Sequence, residues 1–325
     1  MKEELTIDKL KYNDKDAGWG YLFAVLVPLC FQLIASIVLS LVATKQGTTP
    51  IQLLEIDYVA AIYYTLNGLT FFALFCFFNK FRKKRAFSCA KIEFKFGWRN
   101  LIIICVLAVI VLFGFNYFIN LLSYLMQLCG YNPDASLPLP LNNVGWLFIN
   151  LLVLAVIPAI CEELIYRGII MNGLRQFGTT TAVFVSAAIF AVAHGSAMQT
   201  IYQFILGAVL AYIVIKTGSL VASMIFHFLN NAMVLIVNYV LNVTNSQTLA
   251  AVLGTETWSA FDIIFAISMA IATAAATILL ISFLKSKKKE VLYEKTNDKL
   301  NPTAKILFII SAVISIIIWC VGTFV

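Results

Sequence analysis

LIIICVLAVIVLFGFNYFINLLSYLMQL, running from Leu101 to Leu128, contains no Asp, Glu, Lys or Arg in 28 residues. A helix needs about 20 predominantly apolar residues to cross the hydrocarbon core of a bilayer, so this stretch reads as a membrane span with residues to spare. Tyr21 to Thr44 and Ala260 to Leu284 are long enough and apolar enough for the same reading. Of the 325 residues, 61% are hydrophobic and 12% charged, against about a quarter charged in a usual soluble domain. A soluble core cannot absorb that much apolar surface. The fold class that follows is an all-α, polytopic transmembrane helix bundle.

Working outward, the pattern predicts nine helices, at 20–44, 58–79, 100–128, 146–176, 179–200, 201–216, 219–241, 258–284 and 305–325. The first is too long for a signal-peptide core and is read as a retained span. Seven cysteines, an odd number without a CxxC, fall mostly in apolar stretches and suggest neither a disulfide framework nor a zinc ribbon. The net charge of +7 raises the question of nucleic acid, but the basic residues cluster at span ends, at Lys80 to Arg85 and Lys285 to Lys289. Anionic lipid headgroups are their expected partners, and no nucleic acid is. With a cytoplasmic N-terminus, 22 of the 23 Lys and Arg fall on the cytoplasmic side and only Lys45 falls outside, as the positive-inside rule requires. The expected location is a cell membrane, a prokaryotic plasma membrane.

Turn chemistry at Asn132-Pro133-Asp134 and Leu137-Pro138-Leu139-Pro140 marks outer connections. The chain divides into 1–145, a tail with three peripheral helices; 146–241, a core; and 242–325, two helices joined by a charged cytoplasmic linker. The last span is expected to be rather isolated.

A charged side chain at bilayer depth is costly and usually marks function. The run Cys161-Glu162-Glu163-Leu164-Ile165-Tyr166-Arg167-Gly168 breaks an otherwise apolar helix. Glu163 and Arg167 are i, i+4 neighbours able to pair, leaving Glu162, about 100° around the helix, for other work. The only two histidines are His194, one turn after Phe190, and His227, which shares a helix face with Asn231. Both are expected inside apolar helices. Counted from a turn near Gly178, Glu162 and His194 each lie about 24 Å along their helices, and His227 and Asn231 lie about 14 and 20 Å from a turn near Gly218. The four can share one layer.

EExxxR at Glu162, Glu163 and Arg167, FxxxH at Phe190 and His194, and HxxxN at His227 and Asn231, in this order on successive helices, resemble the three motifs of the CAAX-protease and bacteriocin-processing family of intramembrane proteases. The resemblance covers the fourth to the seventh span. It implies Glu162 as the base that activates water, His194 sharing or orienting that water, His227 and Asn231 as donors to the tetrahedral oxyanion, and Glu163 with Arg167 in support. Phe190 is expected as a wall of the cavity. A zinc reading competes, because Glu162, His194 and His227 make a three-ligand catalytic set with an open fourth position. No HExxH supports it, and the metal-free glutamate mechanism, requiring no cofactor, is preferred.

Blander readings stand beside these. Glu163 with Arg167 is as well explained by locking charges away from lipid, and Asn231 by helix-to-helix hydrogen bonding. Cys161 reads as an inert apolar-helix thiol, Asn230 as packing, Ser223 as either cavity or back-bonded to its own helix, and Asp262 as interfacial. The leading function is an intramembrane endopeptidase cutting a membrane-proximal peptide. A non-proteolytic scaffold would be expected to carry broken motifs, and a proton-coupled transporter would show a repeat or paired interrupted helices. By resemblance, prokaryotic members are linked to bacteriocin maturation and self-immunity; the sequence does not choose a substrate.

Overall fold

The computed structural model describes residues 11–84, 90, 92–94, 96–131, 138–244, 258–285 and 299–324. The Asn132 to Asp134 turn, residues 286–298 of the charged linker and Arg85 lie outside them. The helices are α1 (Asp14–Gln46), α2 (Asp57–Phe81), α3 (Gly97–Leu128), α4 (Val144–Phe177), α5 (Thr179–Val192), α6 (Ala197–Thr217), α7 (Leu220–Thr244), α8 (Ala260–Phe283) and α9 (Pro302–Phe324), with one turn of helix, Pro50–Leu54, between α1 and α2. No strand occurs among the described residues. Eight of these helices, all but α5, are long and apolar enough to cross a membrane. The protein is a multi-pass membrane protein.

Local chemistry sets several helix ends. Asn13 caps α1 by accepting from the N–H of Asp16, whose carboxylate takes the N–H of Asn13 in return, and Ser259 with Asp262 repeats this at α8. Gly47 (φ 67°) and Gly218 (φ 69°) close α1 and α6 in the left-handed conformation that glycine adopts without penalty.

The bundle buries its charged side chains within a largely apolar core and turns further aliphatic side chains outward. Ile278, Ile271, Leu33 and Leu41 are more than 60% exposed, whereas Asp16, Glu163, Arg167 and Ser223 are fully buried. In lipid this ordering is the favourable one, since charge is expensive there and aliphatic surface is not. The basic helix ends meet on one face. Arg82 after α2 pairs with Asp16 of α1 at 2.6 Å, Asp14 accepts the N–H of Asn301 before α9 at 2.8 Å, and Asn100 at the start of α3 donates to the carbonyl of Lys285 after α8 at 2.6 Å.

Two expectations need correcting. The fifth helix does not run to residue 200: α5 has 14 residues, about 21 Å of rise, and stops at Val192. Its last carbonyls accept i+3 bonds, from His194 N to Ala191 and from Gly195 N to Val192, and Gly195 then turns at φ 62°. His194 therefore sits in a turn and not inside an apolar helix. The last span is not isolated. Gly18 of α1 lets Leu307 pack against it, Tyr21 donates to Ser315 at 3.0 Å, and Trp319 donates to Thr200 of α6 at 2.7 Å.

Candidate active site

α4 is one unbroken helix of unusual internal winding. Two wide π-helical stretches, Leu151–Val156 and Leu164–Met171, flank the α-helical segment Ile157–Glu163 that carries both glutamates. Such widened turns appear frequently at functional sites. Pro158 helps to explain the first, because it has no N–H to offer the carbonyl four residues back and its ring crowds that carbonyl. That carbonyl belongs to Leu154, and it accepts instead from Asn231 Nδ2 at 3.2 Å. In the second stretch the carbonyls of Arg167 and Gly168 accept from Asn172 Nδ2 at 3.0 and 2.8 Å.

Glu163 and Arg167 pair as their spacing predicts, at 2.7 Å and with neither side chain exposed. The carboxylate has two further partners: Ser223 donates to its Oε2, and His227 Nδ1 lies 3.2 Å from its Oε1. A carboxylate oxygen only accepts, so His227 Nδ1 carries a proton. Arg167 also donates to the carbonyl of Gly207 at 3.1 Å, and its guanidinium carbon stands 4.3 Å from the centre of the Phe190 ring. Gly207 makes that approach feasible, for a Cβ there would lie 3.1 Å from Ala187 Cα and 3.3 Å from the guanidinium. Ser223 thus joins the charged cluster rather than its own helix backbone.

Phe190 is a hub and does not line the cavity that Glu162 and His194 share. It is fully buried, and its ring centre lies 4.7 Å from that of His194, 5.9 Å from that of His227 and 5.1 Å from that of Tyr166. The FxxxH spacing has a second use. Because α5 tightens at its end, His194 N bonds the carbonyl of Ala191, and the carbonyl of Phe190 is left for the ring Nδ1 of His194, 2.8 Å away. That carbonyl accepts, so Nδ1 is the protonated nitrogen and Nε2 of the neutral ring is a bare acceptor.

Glu162 and His194 share the wall of a cavity of about 200 Å³, together with Tyr166, Asn67, Gln32 and Ser315. Glu162 Oε2 is buried there without a hydrogen-bond partner. His227 and Asn231 are not part of that wall. The structure thus groups Glu162 with His194, and Glu163 with Arg167, Ser223 and His227, with Phe190 packed against both histidines. α1, α2 and α9, expected to be peripheral, supply Gln32, Asn67 and Ser315 to the cavity. Sequence reasoning passed over all three, although polar residues in apolar spans are the signal that singled out the glutamates. A larger cavity of about 670 Å³ between α2, α4 and α7 is walled almost wholly by apolar side chains, including Phe75, Phe94, Met224 and Phe228.

Among the described residues no three His, Cys, Asp or Glu side chains are grouped so as to hold a metal ion, although Nδ1 of His227 on Glu163 and Nδ1 of His194 on the Phe190 carbonyl each leave an Nε2 of the kind that a metal takes.

No curated protein and no solved structure matches the chain. Residues 144–233 match the family model described as Rce1-like, type II CAAX prenyl endopeptidase Rce1-like. That stretch begins at the first residue of α4, ends two residues after Asn231 and contains all three motifs, so over the helices that build the site the chain is similar to the CAAX-protease family that its motifs resemble.

Proposed function

We propose that this protein is an intramembrane endopeptidase that hydrolyses a peptide bond in a membrane-proximal substrate by direct attack of water. The observation that carries the reading is the cavity in which Glu162 presents a buried, unpartnered carboxylate oxygen beside His194, inside a polytopic bundle; the family match over α4 to α7 supports it. A water donates one O–H to Glu162 and the other to His194 Nε2, which the bond from Nδ1 to Phe190 keeps free of a proton. Glu162 takes the first proton as the water oxygen bonds to the substrate carbonyl carbon, and the carbonyl electron pair moves onto its oxygen. When that pair returns, the C–N bond breaks and the proton on Glu162 passes to the leaving amine.

Oxyanion stabilisation falls to His227 and Asn231. His227 spends its Nδ1 proton on Glu163, so it donates from Nε2 only as the imidazolium; Asn231 keeps one amide N–H beyond the one given to Leu154. Their assignment rests on the motif, whereas that of Glu162 and His194 rests on motif and geometry together. Glu163, Arg167 and Phe190 support, by holding α4 against α5, α6 and α7. No step passes through a metal. In this reading the basic face and the N-terminus are cytoplasmic, in a prokaryotic plasma membrane, and the partners are lipid and a peptide substrate.

The test is cleavage by the purified chain, in lipid nanodiscs, of quenched-fluorescent peptides carried on a membrane anchor, comparing wild type with Glu162→Ala and His194→Ala. Wild type cleaves and both variants lose activity. Full cellular function retained by both variants would establish a non-proteolytic scaffold instead.

A further inference from the structure

The cavity beside Glu162 holds one more acceptor than a water can satisfy. Glu162 Oε2 and Asn67 Oδ1 are both buried and neither has a donor, and His194 adds Nε2, since its Nδ1 proton goes to Phe190. Buried polar atoms are nearly always hydrogen-bonded in folded proteins. A water has two O–H groups, and the peptidase reading spends them on Glu162 and His194. That water does not serve Asn67 as well, which leaves Asn67 to a further water or to a donor that enters with the substrate.

Its placement is not accidental. Asn67 precedes Gly68, where α2 comes so close to α4 that a Cβ on Gly68 would lie 2.7 Å from Ile157 Cγ2. One turn further on, the Phe71 ring packs 6.2 Å from that of Tyr166. These two contacts hold Asn67 against the part of α4 that carries Glu162. An Asn in an apolar span usually bonds a neighbouring helix, but here Oδ1 bonds none and the side chain lines the cavity.

We propose that Asn67 binds the substrate, its Oδ1 accepting a main-chain N–H of the peptide beside the bond to be cut. The inference rests on the peptidase reading and extends the site to a helix outside residues 144–233. A peptide N–H is the donor that every residue except proline supplies, so Asn67 orients the chain without choosing its side chains.

The test uses the full chain in nanodiscs and the best-cleaved peptide of an anchored quenched-fluorescent panel, resynthesised with a single N-methyl amide at successive positions. The bond exists in the ground state as well as the transition state, so Asn67→Ala raises KM about threefold to tenfold with kcat little changed. With wild type, one N-methyl position near the cleaved bond raises KM by a similar factor, and with Asn67→Ala that same position has no further effect. Asn67→Gln, which keeps an amide, falls between. A wild-type KM for a folded Asn67→Ala, multiplying losses, or no N-methyl position that raises the wild-type KM overturns the proposal while leaving the peptidase reading intact. Wild type that cleaves no peptide of the panel overturns both.

Discussion

Breaking the pair of Glu163 and Arg167 from one side should cost far more than removing it. Both side chains are fully buried and bonded at 2.7 Å, and losing one partner of such a pair leaves an uncompensated charge, at a cost of about 3 to 5 kcal/mol, whereas replacing both by apolar groups is often close to neutral. The remaining partners set an order. After Arg167→Met, Glu163 keeps Ser223 and His227; after Glu163→Leu, Arg167 keeps one carbonyl, Gly207, and one aromatic face, Phe190. Glu163→Leu is therefore the worse variant, and the double variant lies within about 2 kcal/mol of wild type, so the coupling is at least about 4 kcal/mol, larger than residues in contact usually show. SDS-induced unfolding from mixed micelles measures this against an unfolded state whose polar side chains are hydrated. Additive losses, or single variants within about 1 kcal/mol of wild type, the ordinary size of an exposed pair, would refute the argument.

Pro158→Ala returns an N–H to the helix opposite the Leu154 carbonyl, so Asn231→Ala should cost about 1 kcal/mol less stability in that background than in wild type; equal costs in the same SDS titration would remove the proline account of Asn231. Gly322→Ala places a Cβ 2.3 Å from the Gly195 carbonyl oxygen, which must push the turn carrying His194. Cleavage should fall on the order of 100-fold, the sensitivity of aligned groups to an ångström of displacement, with the variant still inserted and folded; unchanged turnover would disconnect α9 from the site. Treatment with a strong chelator should leave cleavage unchanged, whereas stoichiometric zinc whose removal abolishes it would reverse the metal-free mechanism.

The bundle was legible because apolar length is a property of each span alone, and the i, i+4 pairing of Glu163 with Arg167 because it lies within one helix. What the spacing hid depends on departures from regular winding and on contacts between distant spans. Gly195 and the tightened end of α5 move His194 out of its helix, and nothing in the period of TTTAVFVSAAIFAV announces this. The π stretches of α4 have no local signature beyond Pro158. Phe190 looked like a wall because an aromatic in a motif suggests a pocket, yet its partners, Arg167, His194 and His227, come from α4, the turn after α5, and α7. Gln32, Asn67 and Ser315 needed the packing of α1, α2 and α9 to reveal that they face one cavity.

The two adjacent glutamates divide the work between them in this account, and one paired measurement tests that division: kcat/KM on the anchored peptide, and stability in SDS, for Glu162→Gln and Glu163→Gln. Glu162→Gln should lose at least about 100-fold in kcat/KM, as expected for removal of a general base, with stability no lower than wild type, because its Oε2 has no partner to lose and a buried unpartnered charge is removed. Glu163→Gln should lose stability first, its folded fraction turning over within about tenfold of wild type, a difference of 1.4 kcal/mol in the barrier. A folded Glu163→Gln without activity, beside a Glu162→Gln that cleaves like wild type, would contradict the account.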